Sequence, residues 1–400
     1  MRATVPRAPR LRVGAAPPLA VAAAATAAYA VLAGALSQIY GVESFIRVGS
    51  AFADSSHRSV VITPQLPSDS RIGYDGQFAF YIAADPANAR YYMRGEAGYR
   101  YPRILYPMLA RALALGRAGA IPYTLVAINV GAVGAAVLAL ALWLRRRATS
   151  TWLALLYAAF PAVGLCVACD LTEPLAYALA LLGVVVLDRR GRHAAPAAAS
   201  LFALATLARE TTAVFPAVYA LALLIGGDGP WRARIRANGA RAAVFAASSL
   251  VPLVMERIAF RLWLGAFTTA YNEPSPWPFA GIVSWWPWDV SRWLVVLAVV
   301  VPALAWALAA LLALRRRLHT PELWLVAVNV VLFVVFLPAA VFFDYGAAAR
   351  ASVGTVAAAI MSYPALRALR LPKRRLDALV LAWSPLSLAI AVVVVAAAGA

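Results

Sequence analysis

Long apolar runs alternate with short basic clusters along most of this chain. The first run covers about 17–40 and a second about 122–144, the latter ending in Arg145, Arg146 and Arg147. Further runs lie at about 151–169, 174–187, 242–264, 292–314, 322–343, 351–366 and 378–399. Most reach or approach the roughly 20 residues that an α-helix needs to cross a bilayer. Between them stand "DRRGRH" (188–193), "WRARIRANGAR" (231–241), "RRRLH" (315–319) and "RALRLPKRR" (367–375). Loops rich in arginine and lysine stay on the cytoplasmic side, so the number of crossings between successive clusters must be even. The stretch between Arg192 and Trp231 meets this condition only as two short helices, about 195–208 and 211–226, with Arg209 and Glu210 at the turn. Short or broken helices are tolerated at membrane depth where protein or a water-filled cavity surrounds the polar backbone. The pattern predicts an all-α polytopic protein with about eleven spans and a cytoplasmic N-terminus.

Composition agrees. Of the 400 residues 63% are hydrophobic and 13% charged, against about 25% charged in a soluble domain. The formal net charge of +19 would suggest nucleic acid on a soluble chain. Here the basic residues fall between apolar runs, so the charge is topological and no nucleic-acid partner is expected. Cys166 and Cys169 form a C-x-x-C inside an apolar run without nearby histidine, which favours ordinary packing. With His57, His193 and His319 as the only histidines, a histidine-based metal site is not expected. No P-loop, H-E-x-x-H or dinucleotide fingerprint is present.

The long polar segment 41–103 should lie outside the membrane, followed by "ILYPMLARALALG", too short to span and suited to the interface. It contains "GYDGQFAFYIAADP", residues 73–86. Gly76 permits a tight turn that would fix the Asp75 carboxylate near the membrane surface. A carboxylate there could take a proton from an acceptor hydroxyl, although Asp-Gly is also a common turn dipeptide. Asp85, before Pro86, reads as a capping or loop-stabilising residue. The predicted topology sorts Asp75, Asp85, Asp170, Glu173, Glu210, Glu273, Asp289 and Asp344 to the outer side. Acids contribute little to orientation, so that enrichment points to a polar site on the outer face.

"GYDGQFAFYIAADP" followed by "YRYPRILYPML" resembles the first outer loop of bacterial multi-pass proteins similar to the GT-C superfold, glycosyltransferases that use polyprenyl-phosphate-linked sugars. The resemblance covers about 73–108, with looser support from "DLTEPLAYALALL" (170–182) and "LARETTAVFP" (207–216); Ala79 departs from it where an aromatic residue is expected. It implies a GT-C fold and a catalytic base in the first outer loop. Asp75 matches that base by position, and Tyr74 and Gln77 beside it become candidates for substrate contact. It also implies a polyprenyl-phosphate sugar donor and an envelope glycan, lipid or protein acceptor. The expected location is the inner membrane, among membrane lipids. No cofactor is fixed by this reading, and a divalent cation stays open.

Other candidates rest on their chemistry. Arginine suits phosphate because its planar fork donates two hydrogen bonds, and Arg103 stands where the loop re-enters the membrane. Arg209 lies in an apolar stretch, where an ionisable residue is a functional candidate by default. The structural alternative is a pair of Arg209 with Glu210 or Asp170. Asp170 and Glu173 could orient substrate, bind a cation or cap a helix beginning near Thr172; the cap is favoured. Arg350, with Asp344 in "FFDYGAAAR", brackets an outer turn and could contact phosphate or solvent. The segment 265–291 carries Trp277, Trp285, Trp286 and Trp288, which fit interfacial anchoring better than sugar stacking. The expected activity is transfer of a sugar to an extracytoplasmic acceptor with inversion. The rival classes are a transporter or lipid flippase and a non-catalytic envelope-assembly scaffold.

Overall fold

The computed structural model describes residues 16–62, 66, 71–189, 191–265, 275–368, 379 and 383. The described residues are helical, with no strand beyond one isolated bridge between Val48 and Gly73. Four of their helices are long and apolar enough to cross a membrane, and a bent pair can form a fifth crossing.

The first span, α1 (Pro18–Tyr40), packs along α4 (Ile121–Arg146), the second. Both carry a proline in the first turn, Pro18 and Pro122, whose fixed φ suits that position and whose missing N–H costs nothing there. Small residues bring them together: a Cβ on Gly134 would stand 2.0 Å from the Thr26 hydroxyl. Between these spans lie α2 (Gly76–Ala84) and α3 (Leu105–Leu113), packed on one another and on α4 around a separate apolar cluster that includes Phe80, Tyr101 and Tyr106. α3 is short, as its sequence suggests.

The expected span at 151–169 is instead two helices, α5 (Thr151–Ala158) and α6 (Pro161–Ala168), bent by 52°. Pro161 supplies the reason: it removes a backbone donor and forces the preceding residue into an extended conformation. α7 (Glu173–Leu187), α8 (Ala194–Ala208) and α9 (Val214–Ile225) follow. The break between α8 and α9 falls at Arg209, whose φ of −160° is extended. Phe202 on α8 stacks on Tyr219 of α9 with ring centroids 6.3 Å apart, so the chain turns back there as expected.

The basic cluster 231–241 is not a loop. It forms the first turns of α10 (Trp231–Leu264), a helix of 34 residues. Only 11% of the apolar stretch of α10 is buried, and Val244, Val251, Met255 and Leu262 point outward. Such a surface is normal against lipid and costly in water. α11 (Val290–Arg315) is a span with a wide π turn at Val296–Val300. α12 (Pro321–Val335) ends in a second π turn at Val331–Val335. The expected span 322–343 therefore stops early. Its last residues leave the helix at Phe336, where Pro338 cannot continue the hydrogen-bond ladder. α13 (Tyr345–Ala351) and α14 (Val353–Arg367) close the described core.

Two ends of the bundle differ in charge. At one end Arg146 and Arg147 pair with Asp188 at 3.2 and 3.1 Å, joining two of the basic turns. At the other end α2, the α6–α7 turn, Arg209 and α13 converge. Apart from residues 379 and 383, the run at 378–399 lies outside the described residues, as does Glu273.

Candidate functional site

Asp75 immediately precedes α2. Gly76 does not act through a left-handed turn, because it is the first helical residue. It acts through proximity: an added Cβ would stand 2.3 Å from the Cys169 carbonyl oxygen. The missing side chain thus lets the start of α2 rest against the α6–α7 turn, which brings Asp75 toward Asp170 and Glu173.

The Asp75 carboxylate is held by three guanidiniums. Arg100 donates to Oδ1 at 2.5 Å and Arg350 to Oδ2 at 3.1 Å, while Arg103 lies 3.9 Å from Oδ2. Burial would raise this carboxyl, but Arg100, Arg350 and Arg103 outweigh it and hold the group well below the usual carboxylate range. Arg100 is itself fixed by Glu96 at 2.7 Å and by the ring of Phe78, 4.2 Å from its guanidinium.

Glu173, at the start of α7, is 1% exposed and receives Arg350 at 2.7 Å and Arg209 at 3.1 Å. Glu210 meets Arg103 at 3.4 Å and Arg257 of α10 at 3.6 Å. The network therefore ties together the first loop, α7, the α8–α9 break, α10 and α13. Charges this buried are tolerated because each has a partner.

A cavity of about 510 Å³ opens on this network. One wall is charged, formed by Asp75, Glu96, Arg100, Arg103, Arg209, Glu210 and Arg350. An apolar part of the lining comes from the π turn of α12 and beyond, with Leu332, Phe333, Phe336 and Leu337. Leu332 is the most exposed of these apolar residues, at 44%. A pouch of about 20 Å³, room for one water molecule, extends from Asp75 to Asp170, Thr172 and Glu173.

Several expected roles change. Asp170 and Thr172 make no side-chain cap for α7. Asp170 instead sits at φ 48° in the turn, fully buried, with neither carboxylate oxygen hydrogen-bonded among the described residues. Burial pushes its carboxyl well above the ordinary range, against a smaller opposing effect of the Tyr106 hydroxyl. Arg209 pairs with Glu173 rather than with Glu210 or Asp170. Gln77 does not face the cavity. It accepts from the Gly49 amide at 3.0 Å and donates to the Ile72 carbonyl at 2.9 Å, pinning the loop around the Val48–Gly73 bridge. Tyr74 also lies outside the cavity lining, with Arg350 over its ring at 5.2 Å. Arg350 is buried in the network rather than solvated, and Asp344 caps α13 by accepting from the Ala347 amide at 2.7 Å. Asp85 does brace its loop: Oδ1 accepts from the Ala87 and Asn88 amides and Oδ2 from the Asn88 side chain. Cys166 and Cys169 are buried and free.

Sequence reasoning overlooked Arg100, Glu96 and Arg257, and also Glu256, buried one residue before Arg257. Glu256 and Arg257 interrupt the apolar face of α10, so the rule that singled out Arg209 also applied to them. Arg100 carried no comparable signal, since basic residues are ordinary in a polar loop.

A divalent cation does not fit these side chains. Asp75, Glu173 and Glu210 each face at least two guanidiniums. No group of three His, Cys, Asp or Glu with metal-binding geometry occurs among the described residues. No family model, curated protein or solved structure matches the chain.

Proposed function

We propose that the chain is an inner-membrane glycosyltransferase of GT-C type, with about eleven spans and a cytoplasmic N-terminus. It moves a sugar from a polyprenyl-phosphate donor to an extracytoplasmic glycan, lipid or protein acceptor. One observation carries this reading: the same cavity is lined by Asp75 with four arginines and by the apolar residues Leu332, Phe333, Phe336 and Leu337. A prenyl phosphate has the matching two halves, an anionic head for the guanidiniums and an apolar tail for Leu332, Phe333 and Phe336. Arginine binds phosphate through two parallel charge-assisted hydrogen bonds, and Arg103 and Arg209 line the wall where such a group would lie.

In this reading Asp75 accepts the proton of the acceptor hydroxyl as that oxygen attacks the anomeric carbon. The bond from that carbon to the phosphate oxygen breaks, and the electron pair leaves with the prenyl phosphate. A single displacement inverts the anomeric configuration. A positioned general base contributes about 10²–10⁴ in rate. Asp75→Asn keeps the side-chain shape and removes the base. The variant should therefore reach normal protein levels yet fail to restore the envelope glycan lost in a deletion strain. Full restoration at normal level removes Asp75 as the base.

The helix breaks at the α5–α6 bend and at Arg209 favour a second reading, a transporter or flippase, since such proteins bind substrate at discontinuous helices. Asp75→Asn with intact transfer but lost lipid translocation would support it.

A further inference from the structure

We infer that Asp75 is the resident counter-anion of a phosphate site, and that an entering phosphate uncovers it by drawing Arg103 and Arg350 away. The inference rests on the prenyl-phosphate reading and adds an order of events: the base becomes competent only after the donor is bound.

The prior engagement of the cavity arginines is the first argument. Arg100, Arg103, Arg209 and Arg350 line the cavity, and their carboxylate partners are Asp75, Glu96, Glu173 and Glu210. Each of the four cavity-lining cations thus already faces a carboxylate, and Glu210 also meets Arg257 from outside the lining. An added phosphate gains its full attraction only if one carboxylate gives up its place.

The geometry indicates which one. Glu173 is walled in at 1% exposure, and Glu210 keeps Arg257 as a further partner. Glu96 holds Arg100 through two contacts within one turn of chain. Asp75 retains 28% side-chain exposure and lines both the cavity and the pouch. Its contacts are unequal. Arg100, anchored by Glu96 and Phe78, grips Oδ1. Oδ2 is held by Arg350, which is shared with Glu173, and more distantly by Arg103, which is shared with Glu210. Both shared arginines line the cavity, and Arg103 leaves its Nε without a hydrogen-bond partner among the described residues.

A phosphate that takes Arg103 and Arg350 therefore frees Oδ2 and leaves Oδ1 oriented by Arg100. The acceptor proton then passes to Oδ2. The electron pair of the broken sugar–phosphate bond ends on the phosphate oxygens, where the same two guanidiniums neutralise it. Before donor binding, Oδ2 faces guanidiniums and cannot approach a hydroxyl, which would limit wasteful activation of acceptor or water.

The test is a binding measurement on the full-length protein in detergent with farnesyl phosphate, and with inorganic phosphate in parallel. Asp75→Asn removes the competing anion, so farnesyl phosphate should bind at least about tenfold more tightly than to the unaltered protein. Inorganic phosphate should tighten in the same direction from a weaker start. Unchanged or weaker binding of farnesyl phosphate by the folded variant overturns the displacement. Failure of both proteins to bind farnesyl phosphate removes the donor reading itself and the inference with it. Should Asp75→Asn not fold, infrared difference spectra of the unaltered protein labelled with ¹³C-aspartate decide the matter. Farnesyl phosphate should shift an ionised aspartate carboxylate band, and binding without any aspartate shift overturns the inference.

Discussion

Arg350 donates to Asp75 from 275 residues further along the chain, and the same guanidinium donates to Glu173 at 2.7 Å. One side chain of α13 thus joins the first polar loop to the start of α7. Arg350→Gln leaves a buried Glu173 with a single cationic partner and relaxes Asp75. Removing one member of a buried pair costs about 3–5 kcal/mol. Thermal unfolding in detergent should show a lower midpoint, and a variant as stable as the parent would mean that the network does not support the fold.

Gly76 tests the close approach of α2 to the α6–α7 turn. The atom in the way is a backbone carbonyl, so no side-chain rotation relieves the clash. Gly76→Ala should cost about 1–3 kcal/mol, the range for overpacking. It should also reduce the rescue of the envelope phenotype by moving Asp75 from its arginines. A fully active and stable variant would show that the turn yields without cost.

Asp75 has a defined acid response. Its carboxyl is depressed in the folded protein, so its stabilising contribution is complete above the unfolded value of about 3.9 and is lost as pH falls through the lower folded value. Between pH 8 and 5 the stability difference between the parent and Asp75→Asn should therefore stay constant. Chemical denaturation across that interval checks this, and a difference that shrinks toward pH 5 would contradict the arginine clamp.

Asp85 serves its own loop rather than the cavity. Asp85→Ala removes three hydrogen bonds to Ala87 and Asn88, and losses of such local side-chain turns and caps run to about 0.5–2 kcal/mol. The expected result is a modestly lower midpoint with rescue activity retained. Loss of activity at normal stability would give Asp85 a chemical role.

Topology is checked by single cysteines at Ser56 and Ile235, with the buried Cys166 and Cys169 as a silent background. An impermeant thiol reagent applied to intact cells should label position 56 and not 235. The reverse pattern would invert the orientation inferred from the basic clusters.

The sequence by itself determined the helical class, the four long apolar helices and the break at Arg209. Hydropathy and chain-breaking residues are local properties, and a bilayer imposes a fixed length on whatever crosses it. It also singled out Asp75, Arg103, Arg209, Glu210, Glu173 and Arg350 one by one: Arg209 as a charge in an apolar stretch, Asp75 by its turn and the first-loop resemblance, and the others by their places at turns and loop ends. The bend at Pro161 and the early end of α12 at Phe336 were harder to read. Both lie in runs whose hydropathy continues unbroken while the backbone does not.

Only the tertiary structure decided which charge meets which. The pairs of Arg350 with Asp75, Arg103 with Glu210 and Arg350 with Glu173 join residues 275, 107 and 177 positions apart. Along the chain, Arg209 lies next to Glu210, yet it forms an ion pair with Glu173, because the extended backbone at Arg209 separates the neighbours and α7 packs beside α8. The same packing turned Gln77 and Tyr74 away from the cavity and drew in Arg100. It also brought apolar residues of α12 into the same cavity as the arginines. A carboxylate's partners are fixed by distances of a few ångströms between elements, and those distances exist only after the helices have packed.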